Sequence, residues 1–350
     1  MTLALIGLGV QGSAGIPLGG LEYIKESEII YADTYTSPWP DELLDELKAR
    51  FNKEIHVASR ALIEDGRKIL SEATHKKVAL LVMGDPLLAT THIAIKGRAK
   101  EMGIDTKVFY SSSIINVIFG ETGLHIYKLG RVITAARGSG YLPDSIYTEV
   151  KENLIMKKHT LVLLEHDPEL PNQLSPNDVL NEFSRLETNF KLGVFSPERL
   201  LIIASRIGWS DQSICVGTMK DLMFKNFGKP PHSLLIPAEF HYTEIDALSS
   251  LPNIDKRVLE SGLTRLESPS ATLINRTVQK TLLALQRGRE LAKEKGITKL
   301  DDIFENVECY LSDAQRFLLD GKPELALIEA GYAEGLLDSL RFQGLLKLEW

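Results

Sequence analysis

The chain has 350 residues, 44% hydrophobic and 25% charged, with a net charge of −7, an ordinary balance for globular domains and a length that suits two or three of them. Charge is spread evenly, with 26 basic and 31 acidic side chains in residues 1–250 and 14 and 16 in residues 251–350, so neither part offers the basic platform that direct nucleic-acid binding needs. Cys215 and Cys309 make no disulfide framework and no metal spacing, no apolar run reaches membrane-spanning length and no charged leader is present, so the sequence predicts a soluble cytoplasmic chain without a membrane partner.

In chain order, residues 2–6 read as a short buried strand closed by Gly7-Leu8-Gly9-Val10-Gln11-Gly12. The spacing of Gly7, Gly9 and Gly12 fits the dinucleotide fingerprint, but the next strand, residues 29–33, comes only after a short helix over 18–26, and a lone G-x-G-x-x-G is weak. The firmer inference is that these glycines let a ligand approach the backbone at a strand end. A charged helix over 41–50, a strand over 54–58 and a single helix over 61–72 follow, the last from the spacing of Leu62, Ile63, Ile69 and Leu70. Residues 78–82 are an unbroken apolar run, the pattern of a strand buried on both faces. Gly84-Asp85-Pro86 stops it, and Thr90 and Thr91 are placed to cap a helix running through Ile93, Ala94, Arg98 and Ala99. A strand over 107–110 ends in Ser111-Ser112-Ser113 and a further helix, 114–119. Three strand ends thus carry small polar loops, 7–12, 84–85 and 111–113. Alternating strands and helices predict a mainly parallel sheet whose loops converge at one edge, where open α/β sheets bind ligands.

This first α/β unit is assigned to residues 1–115, a second to 116–250. The second holds strands over 132–135, 160–165, 200–204, 213–219 and 233–236, helices over 144–156 and 177–186, and a loop over 168–177; strands outnumber helices, so a mixed sheet is expected. From about Asp255 the apolar residues recur at helical spacing, in stripes marked by Ile274, Val278, Leu282 and Leu285, then Val307, Leu311, Ala314 and Leu318, then Leu325, Ile328, Leu336, Leu337 and Leu340. Residues 251–350 are therefore expected to form an α-helical bundle.

Over residues 1–245 the chain resembles the diphthine synthases, the methyltransferases of diphthamide biosynthesis within the tetrapyrrole-methylase superfamily. The motifs that carry the resemblance are Leu5-Ile6-Gly7-Leu8-Gly9, Ala32-Asp33-Thr34-Tyr35-Thr36-Ser37, and Gly84-Asp85-Pro86-Leu87-Leu88-Ala89-Thr90-Thr91-His92. They continue with Thr122-Gly123-Leu124-His125-Ile126-Tyr127-Lys128, His159-Thr160-Leu161, Val216-Gly217 with Lys220-Asp221-Leu222, and Pro230-Pro231-His232. The resemblance implies two α/β subdomains with S-adenosyl-L-methionine in the cleft between them, usually in a homodimer. It implies cofactor contacts from Val10, Asp85, Leu88, Ser113, Ile114, Leu164, Ile207 and His232. The implied reaction is methylation of the amino group of the modified histidine on translation elongation factor 2. It names no catalytic base and no metal ligand.

The residues agree on four of these contacts, since Val10, Asp85, Ser113 and Ile114 lie in the strand-end loops. A carboxylate at Asp85 suits a cationic ligand edge or a ribose hydroxyl and would repel a phosphate. Aromatic faces favour a growing ammonium, and Tyr35, Tyr127 and Tyr141 are the candidates to supply one. His125 and Tyr127 are read as structural. The sequence departs from the family in 11–20, which holds no acidic residue, in segment 136–140 and in loop 168–177. A methylase of a small tetrapyrrole is the alternative of the same chemistry, and a non-catalytic partner-recruiting module the alternative of another class. Residues 251–350 are similar to a small archaeal helical domain of unknown function.

Overall fold

The computed structural model describes residues 2–40, 42–137, 140–166, 168, 173–252, 254, 256–261 and 269–348. The sequence readings that fall on Asp41, 138–139, 169–172 and Asp255 lie outside these. The chain forms two compact units, Met1–Leu266 and Glu267–Trp350.

The first unit opens with β1 (Thr2–Gly7), α1 (Leu18–Glu26), β2 (Ile29–Asp33), α2 (Leu43–Phe51), β3 (His56–Ala58), α3 (Arg60–Asp65), α4 (Arg67–Ala73), β4 (Lys77–Val82), α5 (His92–Glu101) and β5 (Asp105–Phe109). All five strands are parallel, in the order β3-β2-β4-β1-β5. Helices cover both faces, so the central strands are apolar throughout, and Val78, Ala79, Leu80, Leu81 and Val82 are fully buried. The single helix expected over 61–72 is two. Gly66 adopts φ +63°, a left-handed conformation that ends α3 and starts α4. Apolar periodicity runs through this break because both helices bury the same side: Ile63, Ile69 and Leu70 share one core.

The chain crosses over through α6 (Ile114–Thr122) to β6 (Ile133–Ala135), α7 (Ser145–Ile155), β7 (Thr160–Leu164), α8 (Pro176–Phe190), β8 (Leu200–Ser205), β9 (Ser213–Thr218), α9 (Met219–Leu222), β10 (His232–Ile236), α10 (Tyr242–Ser249) and α11 (Lys256–Ser261). The second sheet has the order β6-β7-β10-β8-β9 and is mixed: β6 and β7 are parallel, the remaining pairs antiparallel. The position of β10 is what matters for function. It runs antiparallel between β7 and β8, pairing Ser233 with Leu163 and His232 with Ser205. The carboxyl ends of β7 and β8 and the start of β10 therefore share one edge. Leu259 of α11 is fully buried in the core that also holds Leu161, Leu235 and Leu248.

The second unit consists of α12 (Pro269–Glu294), α13 (Asp301–Leu319) and α14 (Pro323–Phe342). Ile274, Val278, Leu285, Val307, Leu311 and Ala314 are buried in its core as the stripes predict. On α14 the buried ladder is Ala326, Ala330, Ala333, Leu337 and Leu340, whereas Leu325 and Ile328 are 44% and 53% exposed. The expected third stripe therefore holds at Leu337 and Leu340, with Leu336 packed beside them, and differs at Leu325 and Ile328, whose places in the core Ala326 and Ala330 take. The spacing of four and three selects the small residues, which allow close helix approach.

Candidate active site

Three loops of the first sheet meet beyond the carboxyl ends of β1, β4 and β5. Gly9 and Gly84 exchange main-chain hydrogen bonds of 3.1 and 3.0 Å. The main chains approach so closely that a Cβ on Gly7 would stand 2.6 Å from the Gly84 carbonyl oxygen, which only glycine avoids. The Val10 amide donates to Ser112 Oγ at 3.1 Å. Asp85 Oδ1 accepts the Leu87 amide at 2.9 Å and its Oδ2 accepts the Ser111 amide at 3.3 Å. Asp85 therefore ties the β4 loop to the β5 loop. Ser113 caps α6 in a capping box with Asn116. The cap expected at α5 comes from Thr90 alone: its Oγ1 accepts the His92 amide at 3.0 Å, and Thr91 makes no side-chain cap.

These loops and the shared edge of the second sheet enclose one cavity. From the first sheet come Gly9, Val10, Thr36, Ser37, Pro38, Gly84, Asp85, Leu88, Thr90, Ser113 and Ile114, and from the second Leu164, Glu165, His166, Ile207, Trp209, Pro231 and His232. All eight residues singled out for the cofactor, Val10, Asp85, Leu88, Ser113, Ile114, Leu164, Ile207 and His232, are brought to this wall. Ser113 and Ile207 are buried, and Leu88 is 46% exposed. His232 Nε2 lies 3.3 Å from the Phe227 carbonyl, so that nitrogen carries the proton and donates. Burial pushes the His232 imidazole below its ordinary value, against the pull of the Phe227 and Gly228 carbonyls. It is neutral near pH 7.

The aromatic candidates fail. Tyr35 does not line the cavity, and Tyr127 and Tyr141 are 89% and 61% exposed. Trp209 instead lines it, while packing against the core of the first sheet and lying under the Arg206 guanidinium. Thr36, Ser37 and Pro38 also went unremarked as wall residues. The signal that found the other loops, a polar turn after a buried strand, is present there too.

The motif residues His125, Lys128 and His159 lie elsewhere. Glu244, fully buried, accepts from the His125 amide at 2.8 Å, the His241 amide at 2.7 Å, Lys128 Nζ at 2.7 Å and His159 Nε2 at 2.9 Å. His159 Nδ1 accepts the Ala238 amide at 3.0 Å, so the imidazole is the neutral Nε2–H tautomer. His159 precedes β7 and Leu164 ends it, so this cluster sits roughly 16 Å from the cavity wall along the strand.

Among the described wall residues there is no lysine or arginine; the charged side chains are Asp85 and Glu165. Such a wall suits a cationic, phosphate-free ligand and disfavours a dinucleotide. Among the described residues no group of His, Cys, Asp and Glu is arranged to hold a metal, and no helix is long and apolar enough to cross a membrane.

Two α/β sheets joined at a loop-lined cleft define a class: residues 2–223 match the family of Tetrapyrrole (Corrin/Porphyrin) Methylases. Residues 276–346 match a separate family, described as Protein of unknown function (DUF357). The chain is 34% identical over 259 residues to the diphthine synthase of Methanothermobacter thermautotrophicus, covering 74% of this chain and 98% of that one. It is 35% identical to the diphthine methyl ester synthase of Dictyostelium discoideum, covering 70% and 96%. A solved structure of a diphthine synthase superimposes with a TM-score of 0.67 at 25% identity, over 75% of this chain and all of that one. The chain belongs to the diphthine synthase family of methyltransferases, with a helical domain added at its C-terminal end.

Proposed function

We propose that the cavity binds S-adenosyl-L-methionine and that the protein methylates the amino group of the modified histidine on translation elongation factor 2, acting in the cytoplasm as a homodimer. The observation that carries this reading is the gathering of Val10, Asp85, Leu88, Ser113, Ile114, Leu164, Ile207 and His232 on one wall without a lysine or arginine among the described residues. These residues fit the cofactor. Leu88, Ile114, Leu164 and Ile207 offer apolar surface to an adenine ring. Asp85 and the main chain of the Gly9–Gly84 bridge offer polar atoms to the ribose and amino-acid parts. Bound there, the cofactor supplies an electrophilic sulfonium methyl.

The protein's own work is positioning and exclusion of water. A sulfonium needs no acid to leave as a neutral thioether, so aligning an unprotonated amine with the methyl provides most of the rate. Thr36, Ser37, Pro38, Thr90, Glu165 and His166 line the wall outside the cofactor set and are the surface left for the acceptor.

The test is mass spectrometry of the elongation factor after incubation with this protein and labelled S-adenosylmethionine, beside calorimetry with S-adenosylhomocysteine. A mass gain on the modified histidine supports the proposal. Tight binding of S-adenosylhomocysteine without modification would leave the cofactor reading standing and remove the acceptor.

A further inference from the structure

Two loops of the cavity wall are joined through a pair of side chains with no solvent exposure. Asp33 ends β2 and His92 begins α5, and His92 Nε2 lies 3.0 Å from Asp33 Oδ2. The approach is oblique to the ring's N–H direction, so the contact is electrostatic rather than a linear hydrogen bond. The other ring nitrogen, Nδ1, lies 2.6 Å from Thr90 Oγ1. Thr90 lines the cavity, as does Thr36, whose hydroxyl and amide both donate to Asp33.

The protonation of this chain follows from its partners. Burial pushes the Asp33 carboxyl up, but the His92 contact, the Thr36 hydroxyl and the Tyr35 amide outweigh it and hold the group below its ordinary value. An ionised Asp33 keeps the imidazole proton on Nε2, which leaves Nδ1 as an acceptor. The Thr90 hydroxyl has one proton and two acceptors in reach, the Pro86 carbonyl at 3.3 Å and His92 Nδ1 at 2.6 Å. The shorter contact takes it. Beside Tyr35 in this loop stand two charged groups, Arg60, 5.4 Å from the ring, and Glu64, 3.4 Å from the hydroxyl.

A buried carboxylate set against an imidazole is a costly way to hold two loops together, since apolar side chains of like volume would serve as well. Carboxylate, imidazole and hydroxyl in series is an arrangement that draws a proton from the hydroxyl end. We propose that Thr90, His92 and Asp33 form a relay that takes the proton from the acceptor amine before methyl transfer. This rests on the reading of the protein as an amine methyltransferase. Thr90 is the catalytic member, and His92 and Asp33 act through it. The amine enters as an ammonium. Its N–H bond breaks, the proton passes to Thr90 Oγ1, and the Thr90 proton passes to His92 Nδ1. The amine is left with a free lone pair, and His92 is an imidazolium facing the Asp33 carboxylate, which stays ionised. The proton returns by the same route to solvent in the cavity. Each added methyl replaces one N–H, so the relay runs once per methyl.

The experiment uses the full chain and the Thr90→Val and Thr90→Ser variants. Single-turnover methylation of the elongation factor is measured from pH 7 to pH 9, and S-adenosylhomocysteine affinity by calorimetry. At pH 7 the valine variant is expected to be about 100-fold slower, the usual scale of a lost general base. The serine variant, which keeps the hydroxyl, recovers most of the rate. Affinity for S-adenosylhomocysteine stays the same in all three. The valine deficit shrinks as pH rises, because the amine then gives up its proton unaided, whereas a misplaced loop would not be mended by pH. A wild-type rate in the valine variant, a deficit constant across pH, an equal loss in the serine variant or a fall in S-adenosylhomocysteine affinity would each overturn the relay. A wild-type chain that binds S-adenosylhomocysteine but leaves the elongation factor unmodified would overturn the acceptor reading, and the relay with it.

Discussion

Glu244 is the residue whose loss the first unit should feel most. Glu244→Ala takes the acceptor from four donors at 2.7 to 2.9 Å, two of them main-chain amides. Lys128 is held by the same cluster, since its ammonium also donates to the Glu239 carbonyl. Removing one partner of such a buried pair costs about 3–5 kcal/mol, because the remaining groups keep their desolvation without their partner. For a unit of this size that corresponds to a fall in melting midpoint of roughly 6–20 °C. Glu244→Gln keeps one acceptor oxygen but turns its amide nitrogen toward the two donors that the other oxygen held, so a loss of at least about 2 kcal/mol is expected. The pH dependence has a definite sign. Burial holds the His159 imidazole below its ordinary 6.5, against the attraction of Glu244. Burial raises the Glu244 carboxyl, but the hydrogen bonds from His159, Lys128 and two amides outweigh it and leave the group far below its ordinary 4.5. In both cases the unfolded chain takes up the proton first as pH falls. Stability is therefore complete above about pH 6.5, declines below it, and declines further below about pH 4.5. The alanine variant should lose the lower step and keep the upper. Trp39 and Trp209 fluorescence in a Trp350→Phe background reports the first unit during thermal and acid unfolding. A midpoint equal to wild type, or superimposable acid profiles, would refute the assignment of Glu244 as a satisfied buried anion.

Asp85→Ala should weaken S-adenosylhomocysteine binding by about 1–3 kcal/mol in the calorimeter, because the substitution orphans the Leu87 and Ser111 amides as well as removing a ligand partner; unchanged affinity would reduce Asp85 to turn chemistry. Ile114→Asp places a charge on an apolar stretch of the wall, so affinity and activity should both fall; wild-type values would mean the cofactor lies elsewhere. A chain ended after residue 266, which keeps the buried Leu259 in its core, should fold and bind S-adenosylhomocysteine with near-native affinity. Insoluble protein or lost binding would make the helical unit part of the catalytic core.

The central strands of the first sheet, β1, β2 and β4, were legible because they are buried on both faces and read as nearly unbroken apolar runs. Their polar ends could be placed on one side because parallel strands all present their carboxyl ends together. The second sheet offers no such rule. Residues 200–205 are as apolar as 78–82, yet whether the turn after them, Arg206 to Trp209, faces the ligand depends on the direction of β10 and on its place between β7 and β8. Pairing order is a long-range property, and no local pattern around Trp209 encodes it. The resemblance supplied Leu88, Leu164, Ile207 and His232, which the residues alone did not. The break at Gly66 was missed for the opposite reason: apolar spacing reports which side of the chain is buried, and α3 and α4 bury the same side on either edge of a left-handed residue.

The motifs that carried the resemblance hold both members of one buried acid–histidine pair, Asp33 with His92, and the histidine of a second, His159 with Glu244, and the surroundings of the two pairs separate frame from chemistry. Glu244 receives four donors, and His159 uses its second nitrogen on the Ala238 amide. Every polar atom in that pair has a partner within the fold, so its work ends with holding α10 against the start of β7. His92 faces Asp33 through an oblique Nε2 contact, and its Nδ1 meets a side-chain hydroxyl on the cavity wall rather than a main-chain amide. A main-chain amide fixes the tautomer and stops there, because it cannot pass its proton on. A hydroxyl is donor and acceptor at once and can hand a proton in either direction. The same side-chain types at similar distances thus close a fold in one place and open onto the cavity in the other, and the difference lies in the atom at the end of the chain.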